Sequence, residues 1–230
     1  MVTDLEIRSL IKKYIGESGS DQGRDPDDRL ASFDYCYNYF HIFYKEKRIS
    51  ELGSEKNLQM SCLQLGFYLA SWGMLRGSAN LLKRSVRHFR RLIFEVSKMS
   101  PELWEIDVDK YDRDNIRTLL NCKNQTITAL RSKDSYRDPS DTLTTKVMLG
   151  VFGNVLAFDS NVVKSFGYGA TEANLLKVRR FYDEHKLVFD DIHIPTLDFL
   201  SGKRTDLYYP KVKLIDMYAW AKANPLLSAT

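Results

Sequence analysis

The chain has 230 residues, 43% hydrophobic and 28% charged, with 12 Gly, 6 Pro and 3 Cys and a formal net charge of +4. This composition excludes a collagen-like chain, a disordered chain and a disulfide-dense mini-protein. Its length suits one helical domain over 1–230, with 1–138 and 139–230 as candidate lobes.

Helical periodicity dominates. Leu5, Leu10, Ile11 and Tyr14, with Gly16 just beyond, predict a short amphipathic helix stopped by glycine. Residues 18–28 (SGSDQGRDPDD) combine Gly, Pro and charge and predict an exposed loop. A second helix starts near Pro26 or Asp27 and carries Leu30, Phe33, Tyr37, Phe40 and Tyr44 at spacings of three or four. Helices over about 55–75 and 78–98 follow, with Gly77 ending one and Ser78 capping the next, so the two form an antiparallel hairpin. Gly66 and Gly73, seven apart on one face, would let another backbone come close or leave a shallow pocket.

Beyond Pro101 a helix over about 113–133 buries Ile116, Leu119, Leu120, Ile127 and Leu130. Ser140, Asp159 and Thr171 are caps for three further helices. The β-branched residues Val188 and Ile192 to Ile194 allow a minor hairpin within 187–209, and Pro210 opens a last helix that closes at Asn224-Pro225. The fold class expected is all-α, a compact multi-helix bundle of about eight helices.

The longest nearly unbroken apolar stretch, 65–75, is far short of the roughly 18–20 residues that cross a bilayer. The first residues read as neither a secretory signal nor a transit peptide, so no membrane and a cytoplasmic location are expected. Cys36, Cys62 and Cys122 lack the paired spacing of a zinc site and read as buried thiols, the alternative being a catalytic thiol served by a histidine brought close on folding. The signatures of phosphate-loop, Rossmann, zincin and α/β-hydrolase chemistry are missing, so no cofactor and no metal are assigned. Asp107, Asp109, Asp112 and Asp114 suggest a calcium loop, but Asp112 stands where the EF-hand turn needs Gly and Thr118 where it needs Glu. Helix capping accounts for them better.

Two constellations carry chemistry. On a continuous helix over 78–98, Arg84, Arg87 and Arg91 would share one outward face, a ridge able to meet nucleic acid or an acidic protein partner. The alternative is a solvated face neutralised by acids from neighbouring helices, which the modest whole-chain charge favours. The second constellation is 142–166, TLTTKVMLGVFGNVLAFDSNVVKSF. Lys146 lies early on an apolar helix, and Asp159 opens the next. A lysine among apolar residues can lose its proton and become a nucleophile, and a nearby carboxylate can stabilise a cation. The other reading is a surface lysine and an ordinary helix cap.

The order of these residues resembles the helix-hairpin-helix DNA glycosylases, all-α enzymes in which a lysine on one helix is followed by an essential aspartate. The resemblance implies Lys146 as Schiff-base nucleophile and Asp159 as catalytic carboxylate. It spans about 25 residues and lacks the glycine-rich hairpin that precedes the lysine in that family. The segments 69–78 and 145–153 also resemble pieces of short, uncharacterised bacterial helical proteins, which implies a bacterial origin and no particular substrate. Three roles follow as alternatives: a helical binding or interaction module, a glycosylase-like nucleic-acid enzyme, and a small-molecule enzyme with an unrecognised site. They require, in turn, a shallow or absent central pocket, a basic groove beside Lys146 and Asp159, and a closed pocket rich in perturbed titratable groups.

Overall fold

A computed structural model describes residues 2–16, 24–76, 80–131 and 138–224. Ten α-helices are found there: α1 Asp4–Tyr14, α2 Ala31–Lys45, α3 Leu58–Ser71, α4 Arg90–Val96, α5 Arg113–Leu130, α6 Asp141–Phe152, α7 Val162–Phe166, α8 Glu172–Glu184, α9 Lys186–Asp191 and α10 Lys211–Ala223. Short 3-10 turns link several of them, and two antiparallel strands, β1 Pro195–Leu197 and β2 Arg204–Tyr208, form a small hairpin. The chain is thus mostly helical. The minor hairpin allowed within 187–209 is formed, so the fold is not purely α, and the ten helices exceed the expected eight or so, α9 being a short one that the sequence pattern did not suggest. Val188 lies in α9 and not in a strand.

Local chemistry sets the helix ends. Thr3, Asp112, Ser140 and Thr171 each accept a backbone N–H in the first turn of the helix they precede. Helix α3 stops earlier than its apolar pattern suggests. Gly73 takes φ +74°, its N–H bonds the Ala70 carbonyl at 2.9 Å, and the Met74 N–H reaches back to Leu69 at 2.9 Å. This is the glycine-terminated reversal that satisfies the last carbonyls of a helix, and it leaves Trp72 at the C-cap. Gly77 and Ser78 lie outside the described residues.

One buried apolar cluster contains residues from Ile7 through Ala221. Helix α6 is at its centre, buried at every position from Leu143 to Phe152 and packed against α2, α3 and α5. Helix α10, almost equally enclosed, packs along α1 and α7. A Cβ on Gly150 would stand 2.5 Å from the Tyr68 ring, so the absence of a side chain there lets α3 and α6 approach. Gly66 serves the same end against Val86, as the close-approach reading expects, whereas Gly73 lies past the end of the helix.

The acidic run acts as caps. Asp112 caps α5, while the half-buried Asp107 accepts N–H groups from Val108, Lys211 and Val212, at 2.6, 2.6 and 2.9 Å, and so starts α10 across the fold. Burial pushes the Asp107 carboxyl up to about 6 in spite of those bonds. No group of three or more potential metal ligands is found among the described residues, and no helix there is long and apolar enough to cross a membrane.

Part of the predicted exposed loop lies outside the described residues, but Arg24 is described and is buried. Its guanidinium donates to Asp34, to the Tyr209 hydroxyl and to the Pro195 carbonyl. Polarity alone placed Arg24 in water; three acceptors beneath β1 hold it inside.

Candidate functional site

Helix α6 ends at Gly153, whose φ of +69° turns the chain back, and residues 154–158 return along the helix. Thr142 and Thr145 fix the return. Thr142 Oγ1 donates to the Phe158 carbonyl at 3.0 Å, and the Phe158 N–H donates to Thr145 Oγ1 at 2.9 Å. Asp159 is thereby brought beside Lys146, with Asp159 Oδ2 3.6 Å from Lys146 Nζ. The distance is that of an ion pair longer than a hydrogen bond.

Asp159 also has the capping role. Its Oδ1 accepts the N–H groups of Asn161 at 2.9 Å and Val162 at 3.2 Å. The two readings of this residue are therefore compatible, since one oxygen caps α7 and the other faces the lysine.

The surface reading of Lys146 is corrected. Its side chain is 5% exposed, because α6 has no solvent face along which a lysine could extend. The ammonium instead reaches the end of α3, donating to the Trp72 carbonyl at 3.4 Å and lying 5.3 Å from the centre of the indole ring. Burial lowers the lysine's pKa below the ordinary range. Asp159 and Asp216 oppose the shift and Lys213 adds to it.

A second buried pair completes the cluster. Lys213 Nζ lies 3.1 Å from Asp216 Oδ2 and 3.3 Å from the Tyr14 hydroxyl, with Phe33 and Trp72 rings 4.8 and 5.4 Å away. Asp216 Oδ1 accepts the Ala157 N–H at 2.9 Å, so α10 also clamps the return segment. Burial opposes charge on Lys213, but Tyr14 and Asp216 outweigh it and hold its pKa above the ordinary lysine value. Burial in turn pushes the Tyr14 phenol up to about 12. Two lysines thus share one indole and are shifted in opposite directions, Lys213 above the ordinary lysine value and Lys146 below it.

Trp72 and Arg29 are the outer members. The indole is half-buried, with Arg29, exposed, 5.5 Å from its centre. The Trp72 Nε1–H is buried without a hydrogen-bond partner. An unsatisfied buried donor beside a perturbed amine and a carboxylate is a feature of sites built for function.

The basic segment folds differently from its prediction. Ser85, at φ −79° and ψ 165°, interrupts the helix, leaving 3-10 turns at 80–83 and 86–89 before α4 begins at Arg90. Arg84 is half-buried in a linker, Arg87 lies on a 3-10 turn and Arg91 on α4, the last two exposed. The single helical face that grouped them is not formed. No carboxylate pairs with Arg87 or Arg91 among the described residues.

All three cysteines are buried and unbridged. Burial pushes the Cys36 and Cys122 thiols up, the latter to about 12, the opposite of what a thiolate nucleophile needs. Sequence reasoning missed Trp72, Lys213, Asp216 and Tyr14 as partners of Lys146. A signal did exist, because Lys213 and Asp216 interrupt the apolar run VKLIDMYAWA.

Comparison with known proteins finds no matching family model, no similar curated protein and no similar solved structure.

Proposed function

We propose that this protein is an enzyme of the glycosylase and lyase type, with Lys146 as an imine-forming nucleophile and Asp159 as its carboxylate partner. The observation that carries the reading is the convergence of a buried, charge-disfavoured amine and a carboxylate at 3.6 Å, held by α6 and the segment that returns along it. The resemblance noted for 142–166 supplies the electrophile, a sugar anomeric carbon in nucleic acid.

The step balances as follows. The neutral Lys146 amine bonds to the anomeric carbon, the bond to the base breaks, and the departing base takes the electron pair and a proton. Asp159 stabilises the cationic sugar and relays one proton of the amine to the departing base. Opening of the sugar ring, whose oxygen takes the amine's second proton, yields an imine, C=N, that borohydride reduces to a stable amine. Lys146 is enclosed, so the basic groove that the glycosylase reading requires forms only when Trp72 and Arg29 move, and the same enclosure favours small carbonyl compounds as rival substrates.

The test is a borohydride trap on the full chain with abasic-site DNA and, separately, with a short aldose. A covalent adduct at Lys146 that is lost in Lys146→Gln supports the enzyme. The DNA adduct alone specifies the glycosylase reading, and the aldose adduct alone the small-molecule one. Failure of both ends the imine mechanism.

A binding or interaction module is the second reading, favoured by a cleft of about 890 Å³ beside Trp72 in which Phe67, Phe199 and Leu200 are 68, 70 and 91% exposed. Exposed apolar side chains of that size are characteristic of contact surfaces.

A further inference from the structure

Helix α3, LQMSCLQLGFYLAS, contains no charged residue, and Met60, Leu63 and Phe67, spaced three and four apart, are exposed along its outer face. A helix that is apolar on every side is ordinarily enclosed, and exposed apolar side chains need no explanation only when they are scattered singly. Here they form a stripe. Leu63 and Phe67 continue it into the cleft of about 890 Å³ bordered by the segment before α2 and by the β hairpin.

The two flanks of the stripe bear opposite charge. On one side Asp25, Asp27 and Asp28 are exposed and have no ion-pair partner among the described residues, while Arg29, the cation that follows them, lies over the Trp72 ring. Asp27 and Asp28 line the cleft together with Gln64 and Ser71, which fixes the side of α3 on which they stand. The basic segment borders the other side. Val86 packs on Gly66, and Arg90 is near enough to Cys62 to oppose the burial that raises its thiol. At about 3.6 residues per turn, Gly66 and Cys62 fall across the helix from Gln64 and Ser71, with the stripe between them. Arg87 and Arg90 are exposed on this flank, and neither has a carboxylate partner among the described residues, although Arg90 lies 5.2 Å from the centre of the Phe94 ring.

We infer that α3 is the contact face of a symmetric dimer, in which a second copy of this chain covers the stripe. A two-fold axis running along α3 sets the two stripes against each other and brings the acidic flank of each copy over the basic flank of the other. The surface is thus complementary to itself, whereas a partner of uniform charge would match one flank and repel the other. The inference rests on the reading of the cleft as a contact surface and not on Lys146.

Sedimentation velocity of the full chain at concentrations up to about 0.5 mM tests it. A reversible monomer–dimer equilibrium that weakens with added salt is expected, and Phe67→Gln should weaken it at least about tenfold. Asp27→Lys and Arg87→Glu should each weaken it by placing like charges opposite one another, while the two together in one chain should restore it, because the exchanged charges face each other again. All three side chains are exposed, so the fold and stability of the single copy should be unchanged, as circular dichroism of dilute protein would verify. A chain that stays monomeric throughout overturns the dimer alone and leaves the cleft to a different protein. A dimer undisturbed by Phe67→Gln, or a double charge variant no stronger than the single ones, overturns α3 as its contact face.

Discussion

The α6 to α10 centre and the segment 80–98 treat basic residues in opposite ways. In the centre, two lysines far apart in sequence meet around one indole, each with its own aspartate and almost no solvent. In the segment, many basic residues lie close in sequence, yet Ser85 splits them among separate turns and leaves Arg87 and Arg91 in water. The contrast teaches that density of charge along a chain is a poor guide to its density in space. A buried charge has to be paired because desolvation is costly; an exposed one is screened and needs no partner.

The largest effect should come from breaking the inner pair. Lys213→Met leaves Asp216 charged in the core and should cost about 3–5 kcal/mol in urea denaturation, while Lys213→Met combined with Asp216→Leu should recover much of that loss. A double variant as unstable as the single would show that the cluster is held by something other than charge pairing.

A smaller effect is expected at His41, which is buried and whose pKa burial, with Lys45 adding, lowers to about 4. Between about pH 4 and the unfolded value near 6.5, the unfolded chain binds the extra proton, so stability should rise with pH across that window. His41→Gln should remove about 1–2 kcal/mol of that rise, allowing for the ring's partial contact with solvent. Asp107 acts in the opposite sense. Its raised pKa of about 6 makes the folded chain bind the extra proton above the ordinary 3.8, so its contribution falls as pH rises through that interval. An unchanged pH slope in His41→Gln would contradict the neutral, buried imidazole.

Gly150→Ala tests the close approach of α3 and α6. The new methyl would meet the Tyr68 ring at 2.5 Å and should cost about 1–3 kcal/mol in thermal unfolding. A neutral result would mean that Tyr68 yields freely. The smallest effect belongs to the basic segment: Arg87→Glu and Arg91→Glu should each change stability by no more than about 0.5 kcal/mol, as expected of exposed side chains. If Arg84, Arg87 and Arg91 nevertheless bind nucleic acid, the triple change to Glu should abolish salt-sensitive binding in a filter assay; retained binding would remove the ridge as its source.

The contrast also marks what could be read in the sequence. Caps at Ser140 and Thr171, the glycine stop after Tyr14 and the hairpin within 187–209 were legible because each rests on a few adjacent residues. The convergence of Lys146 with Asp159 was legible only as a condition on function, since it depends on Gly153 reversing the chain and on two threonines holding the return. The burial of Arg24 was invisible, because its acceptors Asp34, Pro195 and Tyr209 come from separate parts of the chain and no local pattern connects them. The break at Ser85 was missed for a different reason: apolar spacing through 82–96 fits a helix, but the packing of Val86 against Gly66 is met by a tighter turn.

The central claim is that Lys146 is a buried amine biased toward its neutral form beside Asp159. Titration of the lysine side chains by heteronuclear NMR, with Lys146 assigned from the Lys146→Gln spectrum, tests it most directly. The account predicts a Lys146 midpoint below the ordinary 10.5 that moves further down in Asp159→Asn, where the opposing carboxylate charge is gone. A midpoint at or above 10.5, unaffected by Asp159→Asn, would contradict it.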